Sequence, residues 1–172
     1  MTAAIRPETG GDAQRVRAVH LAAFPTPAEA DLVTRLHEDY DSEISLVAEQ
    51  GGEIVGHVML SRMSVSAGSR AFRALGLGPV GVLPGAQGQG LGSELIRSAL
   101  GIAEALGEEV VFVLGEPDYY ARFGFSAEAA APFASPYAGP FFMALWLRPP
   151  SEAPAAGSAA YAPAFGALGG AA

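Results

Sequence analysis

The chain of 172 residues contains no cysteine, and only 16% of its residues are charged. Without cysteine there can be no disulfide bond, no thiolate ligand to a metal and no cysteine nucleophile. The three histidines do not have the paired spacing of zinc ligands, so we expect no metal site. Half of the residues are apolar, which is typical of a single domain with a well-buried core rather than of a disordered chain.

Basic residues and long apolar runs are also scarce. The formal net charge is −8, which argues against nucleic-acid binding and suits a cationic substrate such as an amine. Proline and glycine interrupt every apolar stretch before it is long enough to cross a bilayer. The N-terminal segment MTAAIRPETG lacks the apolar core of a signal peptide. We therefore expect a cytoplasmic protein that binds neither nucleic acid nor membrane.

The apolar periodicity predicts the element order β-α-α-β-β-β-α-β-α-β. Strands are predicted near residues 3–6, 44–49, 53–65, 72–82, 109–114 and 141–147, and helices near 12–24, 28–39, 92–106 and 119–123. This order predicts an α+β fold in which helices flank a mixed, mostly antiparallel sheet of about 6–7 strands. One parallel β-α-β crossover is expected where the fourth strand leads into the third helix.

The C-terminal residues 149–172 differ from the rest in being rich in alanine, proline and glycine. Such a composition favours irregular structure. We expect a domain over residues 1–148 and a tail that docks on it as a coil, with Tyr161, Phe165 and Leu168 as anchors.

A glycine-rich loop between the fourth strand and the third helix is the most informative stretch. Glycines let the backbone approach an anion without an intervening Cβ, and the amides at a helix N-terminus supply donors and partial positive charge. The loop therefore favours a phosphate ligand. Its spacing excludes two common phosphate motifs, because position 93 is serine where a dinucleotide fingerprint needs glycine, and no Gly-Lys-Ser/Thr of a P-loop follows.

Two segments resemble the GNAT superfamily of N-acetyltransferases. Residues 82–92, VLPGAQGQGLG, resemble the acetyl-CoA signature of this family. The signature consists of an apolar strand end and a proline, followed by Gln/Arg-x-x-Gly-x-Gly/Ala. Here Gln87, Gly90 and Gly92 occupy the signature positions. Residues 119–125, YYARFGF, resemble the aromatic-Tyr-x-x-x-Gly-Phe segment of the family. Together with the preceding Gly-Glu-Pro, this segment is similar to the YhbS-like subgroup of predicted acetyltransferases. The element order fits the family fold from residue 3 to about residue 148.

The resemblance implies that acetyl-CoA is the cosubstrate and that no metal takes part. Its pantetheine arm would lie beside the fourth strand and bond to backbone groups of Val80, Gly81 and Val82, where an amide could stabilise the oxyanion. The pyrophosphate would lie on the amides of residues 89–93. The implied CoA-binding residues of the loop are Gln87, Gly88, Gln89, Gly90, Leu91, Gly92 and Ser93.

The resemblance also implies a catalytic acid. Tyr120 matches the family tyrosine that protonates the departing CoA thiolate. The alternative is that Tyr120 only packs, as adjacent aromatic residues on a short helix often do. Tyr119 is expected in the core. The family has no fixed base. Glu116, at the end of the fifth strand, is the first candidate, and Glu49, Glu53 or a water chain are alternatives. The histidines His20, His37 and His57 are expected at surface or core positions.

The expected function is an acetyl-CoA-dependent N-acetyltransferase that transfers the acetyl group directly, in a ternary complex, to a primary amine on a small molecule or protein. No cysteine is available to carry an acyl intermediate. The alternative from another class is a non-catalytic acyl-CoA-binding or sensor module on the same fold. Transfer to a hydroxyl acceptor also stays open, and so does assembly as a homodimer.

Overall fold

The structure is a computed structural model and describes residues 2–167. The strands and helices follow the order β1 (Ala4–Pro7), α1 (Ala13–Ala23), α2 (Ala28–Glu38), β2 (Ser42–Gln50), β3 (Glu53–Ala67), β4 (Arg70–Val82), α3 (Leu91–Ala105), β5 (Val110–Leu114), α4 (Pro117–Ala121), α5 (Ala127–Ala130), β6 (Phe133–Ala134), β7 (Phe142–Trp146) and β8 (Gly157–Ala160). Single 3-10 turns cover Gly10–Asp12, Pro84–Ala86 and Pro163–Ala167. Leu168, an expected anchor of the tail, lies outside the described residues.

The strands form one mixed sheet whose main path runs β1-β2-β3-β4-β5-β7. Along this path β4 and β5 pair in parallel through the α3 crossover, and the other neighbours pair antiparallel. The predicted mixed α+β sheet is confirmed. Within residues 2–167 the sheet has eight strands rather than the expected six or seven, because the short strands β6 and β8 show no apolar alternation in the sequence.

Strand β8 brings the C-terminal segment onto the sheet. It pairs antiparallel with Ser64–Ser66 of β3, beyond Ser61, the last β3 residue that pairs with β2. The coil expected here is therefore replaced by a strand over Gly157–Ala160, because that edge of β3 would otherwise lack backbone partners. Tyr161 follows β8 and packs so close to β4 that a Cβ at Gly76 would lie 2.6 Å from its ring.

The helices cover both faces of the sheet. Helix α3 packs one apolar face on the sheet, where Leu95 and Ile96 join a core cluster with Val58 and Leu75. The opposite face is covered by α1 and α2, whose apolar residues pack on Met59 and its neighbours. This arrangement places α1 and α2 above the C-terminal half of β4, where β4 leaves its parallel partner.

Candidate active site

Strands β4 and β5 separate halfway along β4. Their pairing ends at Leu77↔Val113, whereas β4 continues to Val82 with β3 as its partner. Between the pairs Val58↔Val80 and Leu60↔Leu77, two β4 residues, Gly78 and Pro79, oppose a single β3 residue. This β-bulge bends β4 and opens a gap between the parallel strands.

The alternation of the antiparallel ladder decides which backbone groups of β4 face the gap. In such a ladder every second residue directs its amide and carbonyl at the neighbouring strand. The Leu83 amide donates to the Val55 carbonyl at 2.8 Å, so Gly81, two residues before Leu83, also directs its backbone groups at β3. The amide and carbonyl groups of Val80 and Val82 therefore face the gap. Of the three residues expected to bond to pantetheine, Gly81 is the exception, because its hydrogen-bonding groups are directed at β3.

The loop after β4 ends in a row of amides at the N-terminus of α3. Gly88 and Gly90 have φ of 80° and 81°, the left-handed region that favours glycine. The first bond of the helix runs from the Glu94 amide to the Gly90 carbonyl at 3.0 Å. Within residues 2–167, the amides of residues 88–93 have no hydrogen-bond partner. Such amides, at the positive end of the helix dipole, can donate hydrogen bonds to an anion.

Two side-chain hydrogen bonds connect this loop to its surroundings. The Gln87 side-chain amide donates to the Val82 carbonyl at 3.0 Å. The Ser93 hydroxyl lies 3.0 Å from the Tyr119 hydroxyl, which links the start of α3 to α4. Tyr119, expected in the core, thus contributes a polar group at the anion-binding end of α3. No pattern in the sequence indicated this contact, because it depends on how α4 packs.

A cavity of about 380 Å³ lies at the bulge end of the gap. Val80 and Leu114 line it from the two separated strands, Tyr120 from α4 and Glu29 from α2. The Tyr120 ring fits here because residue 115 is glycine, and a Cβ there would overlap the ring. The structure therefore brings Tyr120 next to the gap-facing backbone of Val80.

The Tyr120 hydroxyl is suited to donating a proton. Burial raises its pKa to about 12, with a smaller contribution from Tyr119. None of the described residues hydrogen-bonds to the hydroxyl. A phenol with this pKa stays protonated at neutral pH and can protonate a leaving group in the cavity.

The carboxylates proposed as bases lie outside this cavity. Glu116 is exposed at the N-cap position of α4. Glu49 accepts a 3.3 Å hydrogen bond from Arg6, and Glu53 is exposed at the start of β3. The carboxylate that does line the cavity is that of Glu29, which the sequence analysis missed, because its position depends on how α2 packs over β4.

A buried histidine network lies between α1 and the sheet. His20 Nε2 and His57 Nδ1 are 2.7 Å apart, and His57 Nε2 is 3.3 Å from a carboxylate oxygen of Glu8, which also bonds to His37 at 3.0 Å. Burial lowers the pKa of His20 to about 3 and also lowers that of His57, so both rings are neutral at pH 7. A Cβ at Gly81 would lie 2.8 Å from His20 Nδ1, which explains the glycine at this position of β4.

No group of three or more histidine, aspartate or glutamate side chains in residues 2–167 is arranged to hold a metal ion. No helix in the same range is long and apolar enough to span a bilayer.

The separated parallel strands and the anion-binding loop beside them are the features of an acetyltransferase domain of the GNAT type. Residues 4–127 match the family model of the acetyltransferase (GNAT) domain. The chain belongs to the GNAT acetyltransferase family, and the predicted membership is confirmed.

Relatives from Escherichia coli agree with this assignment. The chain is 38% identical over 116 residues to the uncharacterised N-acetyltransferase YjhQ of strain K12. The matched region covers 66% of this chain and 64% of YjhQ. It is 34% identical over 126 residues to the uncharacterised N-acetyltransferase YhbS of the same strain. Here the matched region covers 73% of this chain and 74% of YhbS. The chain thus spans a little under two thirds of YjhQ. The predicted similarity to the YhbS-like subgroup is confirmed.

Two solved structures extend the similarity over nearly the whole chain. The crystal structure of Escherichia coli YhbS in complex with CoA has a TM-score of 0.83 and 28% identity and covers 96% of this chain and 93% of that one. A GNAT family acetyltransferase from Brucella melitensis in complex with acetyl-CoA has a TM-score of 0.77 and 34% identity, with coverage of 95% and 97%.

Proposed function

We propose that this chain is an acetyl-CoA-dependent N-acetyltransferase that transfers the acetyl group directly to a primary amine. The observation that carries the proposal is the convergence of three features on one gap: the free amides of residues 88–93, the gap-facing backbone of Val80 and Val82, and the hydroxyl of Tyr120. Relatives of this fold that hold CoA or acetyl-CoA support it.

Each feature has a part in holding acetyl-CoA. The amides of residues 88–93 and the α3 dipole would bind the pyrophosphate. The pantetheine arm would occupy the gap beside β4 as an additional strand and bond to the backbone of Val80 and Val82. Gln87 already fixes the direction of the Val82 carbonyl. The Val80 amide is our proposed donor to the thioester oxygen, a type of contact that contributes about 2.7–4 kcal/mol in other enzymes.

The transfer step follows from these positions. The neutral amine nitrogen attacks the thioester carbonyl carbon, and the developing oxyanion is stabilised by the Val80 amide. The carbon–sulfur bond then breaks, and the departing thiolate takes the proton of the Tyr120 hydroxyl. The excess proton on the new amide nitrogen returns to the Tyr120 phenolate, which restores the phenol. Glu116 as the base that first deprotonates the ammonium stays a prediction, and from its exposed position it would act through water.

An acceptor screen with the purified chain tests the proposal. Acetyl-CoA is mixed with a panel of amines and alcohols, release of free CoA is followed, and mass spectrometry identifies the product. We expect N-acetylated product from at least one amine and strong loss of turnover in Tyr120→Phe. Tight acetyl-CoA binding with no turnover, unaffected by Tyr120→Phe, would favour the sensor alternative, and acetylated alcohols would favour a hydroxyl acceptor. The cytoplasmic location and the homodimer stay predictions.

A further inference from the structure

Glu29 is the side chain in the cavity that the proposed transfer step leaves without a role. It belongs to the first turn of α2 and lines the cavity together with Val80 and Tyr120. Its Oε1 atom is fully buried and has no hydrogen-bond partner within the described residues. A carboxylate oxygen in that state has lost its water without gaining a donor, which is unfavourable unless a ligand supplies one.

The other carboxylates of low exposure among the described residues have hydrogen-bond donors: Glu8 bonds to His37 at 3.0 Å, and two more bond to arginine. Asp12 accepts two hydrogen bonds from Arg6, and Glu108 accepts bonds from Arg62 and Arg73 at 2.6 Å. On α1, the helix next to α2, Arg17 bonds to Asp31 at 2.8 Å and not to Glu29. An acidic residue in the first turn of a helix is favoured by the helix dipole. That preference explains a glutamate at position 29, but it does not explain a carboxylate that lines an apolar cavity and has an unpaired oxygen.

The remaining surface of the cavity is apolar or neutral. Apart from Glu29, the described residues that line it carry no charge. Besides Tyr120, aromatic rings from three further segments contribute: Phe24 after α1, Tyr137, and Phe165 in the C-terminal segment. Such a surface favours an apolar substituent. The single carboxylate in it can bind one cation, and the carboxylate of a ligand would be repelled and poorly solvated there.

We propose that Glu29 binds the ammonium group of the acceptor, and that the acceptor is a primary amine on an apolar aliphatic or aromatic group with no carboxylate next to the amine. This assignment rests on the proposed acetyltransferase function. Because Tyr120 lines the same cavity, an ammonium paired with Glu29 lies in the chamber where the thiolate leaves. Its nitrogen attacks as the neutral amine after one proton has passed through water to Glu116, the base of the proposed transfer step. The Glu29 carboxylate, which lines the cavity and has an unpaired oxygen within the described residues, gains a donor from the ammonium.

The test compares phenethylamine with phenylalanine, which differ by the carboxylate beside the amine. The variant is Glu29→Gln, which keeps the shape of the side chain and removes its charge. The matched control is Glu38→Gln, the same change at an exposed position of the same helix outside this cavity. Acetyl-CoA affinity is measured calorimetrically for all three proteins, followed by kcat/KM for both acceptors.

We expect Glu29→Gln to lower kcat/KM for phenethylamine by about 10- to 100-fold, the range for a lost hydrogen bond to a charged group, and to leave acetyl-CoA affinity unchanged. The ratio of kcat/KM for phenethylamine to kcat/KM for phenylalanine should be smaller in this variant than in the native chain. The reason is that residue 29 no longer repels the carboxylate of phenylalanine. A purely structural role of Glu29 would not change that preference. Glu38→Gln should behave as the native chain does.

The outcomes separate this inference from the function on which it rests. Failure of the native chain to bind acetyl-CoA would overturn the proposed function itself. Normal acetyl-CoA binding with acetylation of neither probe would overturn the acceptor class. Undiminished activity of Glu29→Gln toward phenethylamine, or an equal loss for both acceptors, would overturn the role of Glu29.

Discussion

The side-chain amide of Gln87 donates a 3.0 Å hydrogen bond to the carbonyl oxygen of Val82. Val82 is the last residue of β4, and its backbone faces the gap between the parallel strands. The bond therefore couples the position of the anion-binding loop to the edge of the strand that is proposed to hold pantetheine. Displacing either part should affect binding of the whole cosubstrate.

Replacing Gln87 with glutamate places a carboxylate against the Val82 carbonyl and removes the donor. We expect acetyl-CoA affinity to fall by about 10-fold, the effect of one lost hydrogen bond of ordinary strength. Calorimetric titration measures it. Gln89→Glu is the control, because it adds the same charge to the same loop at a side chain that bonds to Gln50 and not to β4. Equal weakening by the two variants would mean that charge alone matters and that the Gln87–Val82 contact does not.

Gly90 and Gly92 should respond differently to alanine. Gly90 has φ of 81°, so Gly90→Ala strains the backbone and should lower both the free energy of unfolding, by about 1 kcal/mol, and the affinity for acetyl-CoA. Gly92 lies within α3, where an added Cβ would have only ordinary contacts, the nearest with the Tyr119 hydroxyl at 3.6 Å. Gly92→Ala should therefore stabilise the helix by up to about 1 kcal/mol. Urea unfolding gives both values, and a loss of stability in Gly92→Ala would contradict this description of the helix start.

Tyr120→Phe should lower kcat by about 10²- to 10⁴-fold, the usual contribution of a general acid, and leave acetyl-CoA affinity unchanged. Because burial raises the pKa of Tyr120 to about 12, the native rate should not decline through ionisation of Tyr120 between neutral pH and pH of about 10. Tyr119→Phe is the control. It removes the hydroxyl that contacts Ser93, so it should weaken acetyl-CoA binding and spare kcat. A reversed pattern would exchange the roles of the two tyrosines.

The histidine network should make stability depend on pH. Burial lowers the pKa of His20 from 6.5 to about 3, so the unfolded chain binds a proton between these values that the folded chain does not. The free energy of unfolding should therefore fall as pH is lowered from about 6.5 toward 3. The pKa of His57 is lowered by burial despite Glu8, and it contributes in the same direction.

His20→Gln should reduce this slope by up to one proton, which corresponds to about 1.4 kcal/mol per pH unit. Urea unfolding at several pH values between about 4 and 7, a range that includes the histidine reference pKa of about 6.5, measures this slope. His37 is the control. Its hydrogen bond to Glu8 raises its pKa, so its stabilising contribution is present at low pH and is lost as pH rises through that raised pKa. Below a pH of about 6.5, His37 is protonated in both the folded and the unfolded chain, so His37→Gln should leave the acid-side slope unchanged. A flatter slope in this variant would contradict the network.

The parts of this site that the sequence predicted are local. The loop from Pro84 to Gly92 carries its own turn chemistry, and the strand before it and the helix after it are each visible in the apolar period. Tyr120 was singled out because residues 119–125 resemble a segment of the family. These features depend on neighbours in the chain, so they could be recognised without knowing how distant elements pack.

The parts that the sequence did not predict depend on tertiary placement. The choice of Val80 and Val82 over Gly81 follows from the bulge and the ladder register, and a shift by one residue would reverse it. Glu29 is far from Tyr120 in the chain and reaches it only because α2 packs over the gap. Strand β8 has the composition of a coil and forms because β3 offers it an edge.

The amides at the start of α3 are proposed to bind the pyrophosphate of acetyl-CoA, and the variant Ser93→Asp is the sharpest test of this role. An acid in the first turn suits the helix dipole and should keep the fold, whereas its charge should repel the phosphates. Ser93→Asn, similar in size and uncharged, is the control. Titration calorimetry should show saturable one-to-one binding of acetyl-CoA to the native chain, modest weakening in Ser93→Asn and a loss of roughly 100-fold or more in Ser93→Asp, of the order expected for an unfavourable charge in an anion site. Binding of acetyl-CoA to Ser93→Asp with native affinity would contradict the account.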